Sequence, residues 1–143
     1  MKRIYRFLRY NREKRLTLYI YFLTAMYRFI ILTQAPKRYE KYIGKKGQES
    51  PEVAPVEDVR RAYRVGRQVC RIANHTPWES KCLVRALTAR KILAKKGIPT
   101  TLYLGVGKED GKMIAHAWLR CGECYVTGGD GTGYAMVAKF LCE

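Results

Sequence analysis

The stretch "ESKCLVRALTARKILAKKGIPTTLYLGVG" (79–107) decides the fold, because its hydrophobic period changes partway along. Up to Lys96 the apolar residues Leu83, Ala86, Leu87 and Leu93 recur at helical spacing. Gly97 is a natural C-terminal cap, and Pro99 stops the helix. From Thr100 the chain runs apolar like a strand. Just upstream, "HTPWES" (75–80) reads as the helix start. Thr76 fits an N-cap, Pro77 the first helical position and Glu79 a capping-box acid, with Ser80 a second possible cap. Downstream, "KMIAHAWLRC" (112–121), "CYVTG" (124–128) and "YAMVAKFL" (134–141) also alternate or run apolar like strands. "EDG" (109–111) and "GE" (122–123) fit turns between antiparallel neighbours. Helices come first and a strand meander follows. The expected class is α+β: a helical N-terminal half packed on an antiparallel sheet of sequential strands.

Working back, "VEDVRRAYRVGRQVCRIA" (56–73) reads as a helix. Val59, Ala62, Val69, Cys70 and Ala73 share a face, so Cys70 is expected as a small buried hydrophobe. Arg60, Arg64, Arg67 and Arg71 form a stripe on another face, either solvated or a docking surface. Residues 44–58 carry Pro51 and Pro55 and read as a linker. Residues 1–43 read as one bent helix or two. The expected organisation is an N-terminal helical region (1–43), the linker (44–58) and a core (59–143), in one compact domain overall. The segment "LTLYIYFLTAMYRFIIL" (16–32) is short for a spanning helix and contains Arg28. Its 15-residue lead-in is long for a signal peptide. A buried helix is the favoured expectation, with a membrane-surface or spanning helix, and then a signal, as the alternatives.

The chain has 143 residues and a formal net charge of +16. Residues 1–50 hold 13 Lys/Arg against 3 Asp/Glu, so the N-terminal third carries most of the excess. Such a field attracts anionic partners: nucleic acid, acidic lipid or acidic protein. No zinc finger, helix-turn-helix or aromatic-basic motif supports nucleic acid. Five cysteines, an odd number, fit free thiols in a reducing, cytoplasmic compartment better than a disulfide framework. "CGEC" (121–124) is half a zinc site at most and fits two strand ends flanking a turn. No metal or cofactor is expected.

Only two histidines occur, His75 and His116. Cys82 lies near the start of the central helix, where unpaired backbone N–H groups favour an anion. His116 lies in a strand that fixes its imidazole. A helix-borne cysteine and a strand-borne histidine are the parts of a thiolate–imidazolium pair able to attack a carbonyl carbon. The plainer alternatives, a packed thiol and a hydrogen-bonded core histidine, use the same residues. Glu123 and Asp130 are the downstream acids that could orient the imidazole, and each also fits a turn. The glycine-rich "TGGDGTG" (127–133) is not a phosphate loop, since no GK[ST] follows.

In order along the chain, "PWESKCLVRAL" (77–87), "GIPTTLYLGV" (97–106) and "AHAW" (115–118) resemble the leader peptidase of lasso-peptide biosynthesis in its split form. That family lies within the transglutaminase-like, papain-fold superfamily. The resemblance covers residues from about 56 to the end. It implies a cysteine protease that removes the leader from a ribosomally made precursor before macrocyclisation. Cys82 and His116 take the catalytic positions, with Asp130 as the acidic member. Trp78 and His75 fall near the substrate. The implied partners are the precursor peptide, a separate leader-recognition protein and an asparagine-synthetase-like cyclase, and the length suits a chain carrying the protease alone. The Arg60/Arg64/Arg67/Arg71 stripe, or the basic N-terminal helix, would dock the leader or its recognition protein. An acyl transferase of the same superfamily would use the same residues. A non-enzymatic basic module is the reading outside enzymology.

Overall fold

The computed structural model describes residues 1–143, apart from the side chain of Leu8. Four helices precede the main strands: α1 (Lys2–Thr33), α2 (Pro36–Ile43), α3 (Val56–Ala73) and α4 (Cys82–Lys95). A two-residue strand β1 (Lys45–Lys46) lies between α2 and α3. Then come β2 (Thr100–Glu109), β3 (Lys112–Cys121), β4 (Cys124–Thr127) and β5 (Ala135–Cys142). This is the expected α+β arrangement. The N-terminal region is two helices, because Pro36 takes the first position of α2, where its missing N–H costs nothing.

α4 is the central element. Val84, Ala86, Leu87, Thr88, Ala89, Ile92 and Leu93 are all buried, so it is covered on nearly every side. α1, α3 and the sheet cover it, all joined in one hydrophobic cluster. Its end is a Schellman motif: Ile98 N–H bonds Leu93 O and Gly97 N–H bonds Ala94 O, with Gly97 at φ 71°. Its start differs from the capping box expected at 76–79. The helix begins at Cys82, with Lys81 as N-cap and no side-chain cap bond. Thr76 is used elsewhere. Its hydroxyl lies 3.1 Å from Ala73 O at the end of α3 and 2.8 Å from Trp78 O, and 2.8 Å from the Ser80 hydroxyl. The residues that looked like caps therefore tie down the loop before the helix.

α1, about 48 Å long, is buried along one face only. Ile20, Leu23, Thr24 and Tyr27 face the core. On the opposite side Leu18, Phe22, Phe29 and Leu32 are 61–69% exposed. By length and composition the helix is apolar enough to cross a membrane: an 18-residue stretch of it has a mean hydropathy of 1.5 and is 22% buried.

The sheet order is β1-β5-β2-β3-β4, antiparallel throughout. β2, β3 and β4 form the expected meander. β5 does not extend it. Instead it returns to the far side of β2. The 128–134 connection must therefore pass over β3 and β2, and it does so across Trp118. One sheet face supplies Leu102, Ala117, Leu119 and Phe140 to the core, and the alternating positions carry His116, Trp118 and Arg120 on the other.

The proline-bearing stretch 44–58 is fastened to that second face. The buried Arg120 guanidinium donates to the carbonyls of Ser50, Pro51 and Gly122, and its Nε donates to the Tyr103 hydroxyl. Tyr103 in turn donates to Glu49 at 2.7 Å. That bond, followed by the nearby Lys139 and Arg120 charges, holds the Glu49 carboxyl below its usual range.

α3 meets β4 at Gly66. A Cβ there would collide with the Val126 carbonyl oxygen. Alanine in a helix interior is ordinarily better than glycine by about 1 kcal/mol. Here overpacking is expected to outweigh that gain, so Gly66→Ala should lower stability by about 1–2 kcal/mol. Urea unfolding checks it: an unchanged or higher midpoint would mean that α3 and β4 do not approach so closely.

Candidate active site

A cleft of about 580 Å³ opens where α3 ends, α4 begins and β3 passes. Cys82 and His116 both line it, with Trp78, Arg85, Asn74 and the backbone of Gly128. Cys82 is the first residue of α4 and half-buried. The N–H groups of that first turn have no intrahelical partners, so they are available to an anion formed in the cleft. Arg85, one turn on, lines the same cleft. Its Nε donates to Ser80 O at 2.7 Å, and its Nη2 donates to Asn74 Oδ1 at 2.8 Å.

The imidazole of His116 is held on three sides. Its Nε2 lies 2.7 Å from the Gly128 carbonyl oxygen. The Tyr134 ring stacks on it at 4.4 Å, and Trp118 lies at 6.0 Å on the same strand face. A carbonyl can only accept, so Nε2 must carry the hydrogen. In the neutral ring Nδ1 is then the nitrogen without a hydrogen. Among the described residues no hydrogen bond joins Cys82 Sγ to the ring. Such catalytic contacts are commonly long before substrate binds and tighten with it.

Gly128 can present its carbonyl because it is glycine. Its φ is 78°, and a Cβ would collide with the Ala117 carbonyl oxygen. Gly131 likewise lies against the Trp118 indole, 2.6 Å from a would-be Cβ. The glycine-rich stretch is thus a strap that crosses Trp118 and ends in Tyr134.

The structure does not bring Asp130 to the imidazole. Asp130 is exposed, and its Oδ1 accepts the Thr132 N–H at 2.9 Å. The Thr132 side chain and backbone hold its carboxyl below the usual range. Glu123 is exposed in the β3–β4 turn. Trp78 lines the cleft, and its indole N–H donates to Thr24 of α1 at 3.2 Å. Its neighbour Glu79 pairs with Arg28 of α1 at 3.3 Å, so α1 buttresses the cleft loop twice. His75 is exposed and is not among the cleft residues. Cys70, expected in the core, is half-buried and opens onto the cleft, because its position on α3 faces the 76–82 loop. Arg60, Arg64, Arg67 and Arg71 are exposed on α3.

The other thiols are set apart by burial. Burial, then the neighbouring Cys124, pushes the Cys121 thiol up to about 11. Burial also raises Cys124 and Cys142. Cys121 and Cys124 face each other across the Gly122–Glu123 turn. Cys142 pairs in register with Thr100.

A family model described as the Transglutaminase-like superfamily matches residues 29–139. The chain belongs to the transglutaminase-like superfamily. That superfamily includes cysteine proteases and acyltransferases, which share attack by a thiol on a carbonyl carbon. No curated protein and no solved structure matches the chain. Within this transglutaminase-like fold, sequence reasoning missed Gly128, Tyr134, Arg85 and Asn74. Tyr134 left a faint signal, an aromatic closing a glycine run. A backbone carbonyl leaves none.

Proposed function

We propose that the chain is a cysteine peptidase that removes the leader from a ribosomally made lasso-peptide precursor before macrocyclisation. Its partners in this role are the precursor, a separate leader-recognition protein and an asparagine-synthetase-like cyclase. The observation that carries the proposal is the shared cleft: Cys82 at a helix start, with His116 held by Gly128 so that Nδ1 is its basic nitrogen. The ordered motifs "PWESKCLVRAL", "GIPTTLYLGV" and "AHAW" support the leader-peptidase subtype. A cleft of about 580 Å³ accommodates a few side chains of an extended peptide.

The chemistry runs in two halves. His116 Nδ1 takes the Cys82 thiol proton as Sγ attacks the scissile carbonyl carbon. The N–H groups at the start of α4 stabilise the tetrahedral oxyanion. The C–N bond then breaks, the imidazolium hands its proton to the leaving amine, and a thioester remains. Water, deprotonated by His116, attacks the thioester. This releases the leader carboxylate and returns the thiol.

The test is mass spectrometry of a precursor incubated with the chain and a leader-recognition protein. Hydrolysis gives two fragments whose masses sum to the precursor plus one water. A new amide with loss of ammonia would assign the chain to acyl transfer, and an intact precursor would remove the proposal.

A further inference from the structure

The N-terminal half of α1 and the arginine face of α3 stand opposite each other across a groove with two compartments, of about 960 and 800 Å³. Its cations come from both walls. Arg9, Arg12 and Lys14 lie on α1. Arg60, Arg61, Arg64, Arg67 and Arg71 lie on α3, and Lys96 closes one end. Two carboxylates answer these nine, and each is already engaged within its own helix. Glu13 pairs with Arg9 and Glu57 with Arg60, both at 3.5 Å. Like charges therefore confront one another over the gap. Burial, and then the Arg12 and Arg61 charges, push the Lys96 ammonium below its ordinary value. A chain gains nothing in stability from such a face-off, and an anion seated between the walls would relieve it.

The groove also has a direction. Gln68 and Arg71 line it, while Cys70, Ala73 and Asn74 of the same helix line the cleft. From Arg64 to Asn74 is about 15 Å along α3, a span of about five extended residues. Tyr10, Tyr63 and Leu18 add apolar wall between the cations.

We propose that the α1–α3 groove is an exosite for an acidic segment of the peptide substrate, holding it about five or more residues from the bond presented to Cys82. This rests on the peptide-cleaving reading of the cleft. The shared helix α3, whose Gln68 and Arg71 line the groove and whose Cys70, Ala73 and Asn74 line the cleft, favours a peptide reaching from one to the other over a nucleic acid or a lipid surface.

Binding tests it without any need for catalysis. The probe is a short fluorescein-labelled peptide rich in glutamate, compared with its glutamine counterpart by anisotropy on the Cys82→Ala chain. The glutamate peptide should bind at least about tenfold more tightly, and salt should weaken it. Arg64→Glu with Arg67→Glu should lose at least about tenfold, whereas Lys112→Glu, on the β2–β3 hairpin, should not. Thermal melts followed by circular dichroism should show the double variant at least as stable as the parent, because it relieves the repulsion. Equal binding of the two peptides, or no effect of the double reversal, overturns the exosite. So does tighter binding of an oligothymidylate of equal charge, or of phosphatidylserine vesicles. Peptide binding with an uncleaved precursor would leave the exosite standing and sink the peptidase proposal alone.

Discussion

Cys82→Ala is expected to lose leader cleavage by about 10⁴-fold or more, roughly 5 kcal/mol of transition-state stabilisation, while keeping its fold. The loss is large because no other group at the start of α4 can form the thioester. The fold should survive because the side chain is half-buried and alanine suits a first helical turn. Cys70→Ala is the matched comparison. Cys70 opens onto the same cleft, so a merely accessible thiol would be as sensitive as Cys82. Cleavage by the Cys70 variant should stay within about threefold of the parent, since the residue takes no part in the acyl transfer. Rates from single-turnover assays decide it. Cleavage that persists in the Cys82 variant would end the thiol mechanism.

The second large effect concerns the base. His116→Ala is expected to cost about 10²–10⁴-fold, the range for a positioned proton-transfer group. The finer test separates its neighbours. Gly128→Ala should cost about 10²-fold, because displacing the carbonyl by about an ångström misaims the ring. Asp130→Asn should change the rate by no more than about threefold, since its carboxylate serves Thr132 on the surface. Nitrogen-detected NMR adds a structural readout: the neutral ring of the parent should be the Nε2–H tautomer, and Gly128→Ala should mix the two. A silent Gly128 variant beside a crippled Asp130 variant would reverse the assignment of the orienting group.

These contrasts mark where the sequence was legible. The switch from helix to strand at Gly97–Thr100 could be read because glycine, proline and hydrophobic period all changed together. The α3 boundaries could be read from Pro55 at one end and from the lapse of helical spacing at the other. Cys82 and His116 stood out as residue types with few alternatives. The start of α4 was misread because Thr76, Pro77 and Glu79 have the chemistry of a cap. Whether Thr76 serves the helix ahead or the one behind depends on a loop path set by tertiary contacts. The return of β5 to β2 was equally hidden, since strand order is a long-range property that alternation does not encode. The bond that His116 makes to the Gly128 carbonyl was hidden for a related reason. A search for an acid finds Asp130, two residues from the atom that makes the bond.

The strap over Trp118 has a consequence for how such a site is inherited. When a side chain steadies a catalytic base, one substitution can remove it, and relatives betray the role by keeping the acid. In the proposed mechanism the steadying atom belongs to the peptide bond, which every residue possesses. What must pass from parent to descendant is a backbone path: glycine at 128, a small residue at 131 over the indole, and an aromatic at 134 to close the strap. Drift could rewrite the letters between them, Asp130 included, without disturbing the base. A lineage of this kind would look, to a search for a catalytic acid, like one that had lost its activity.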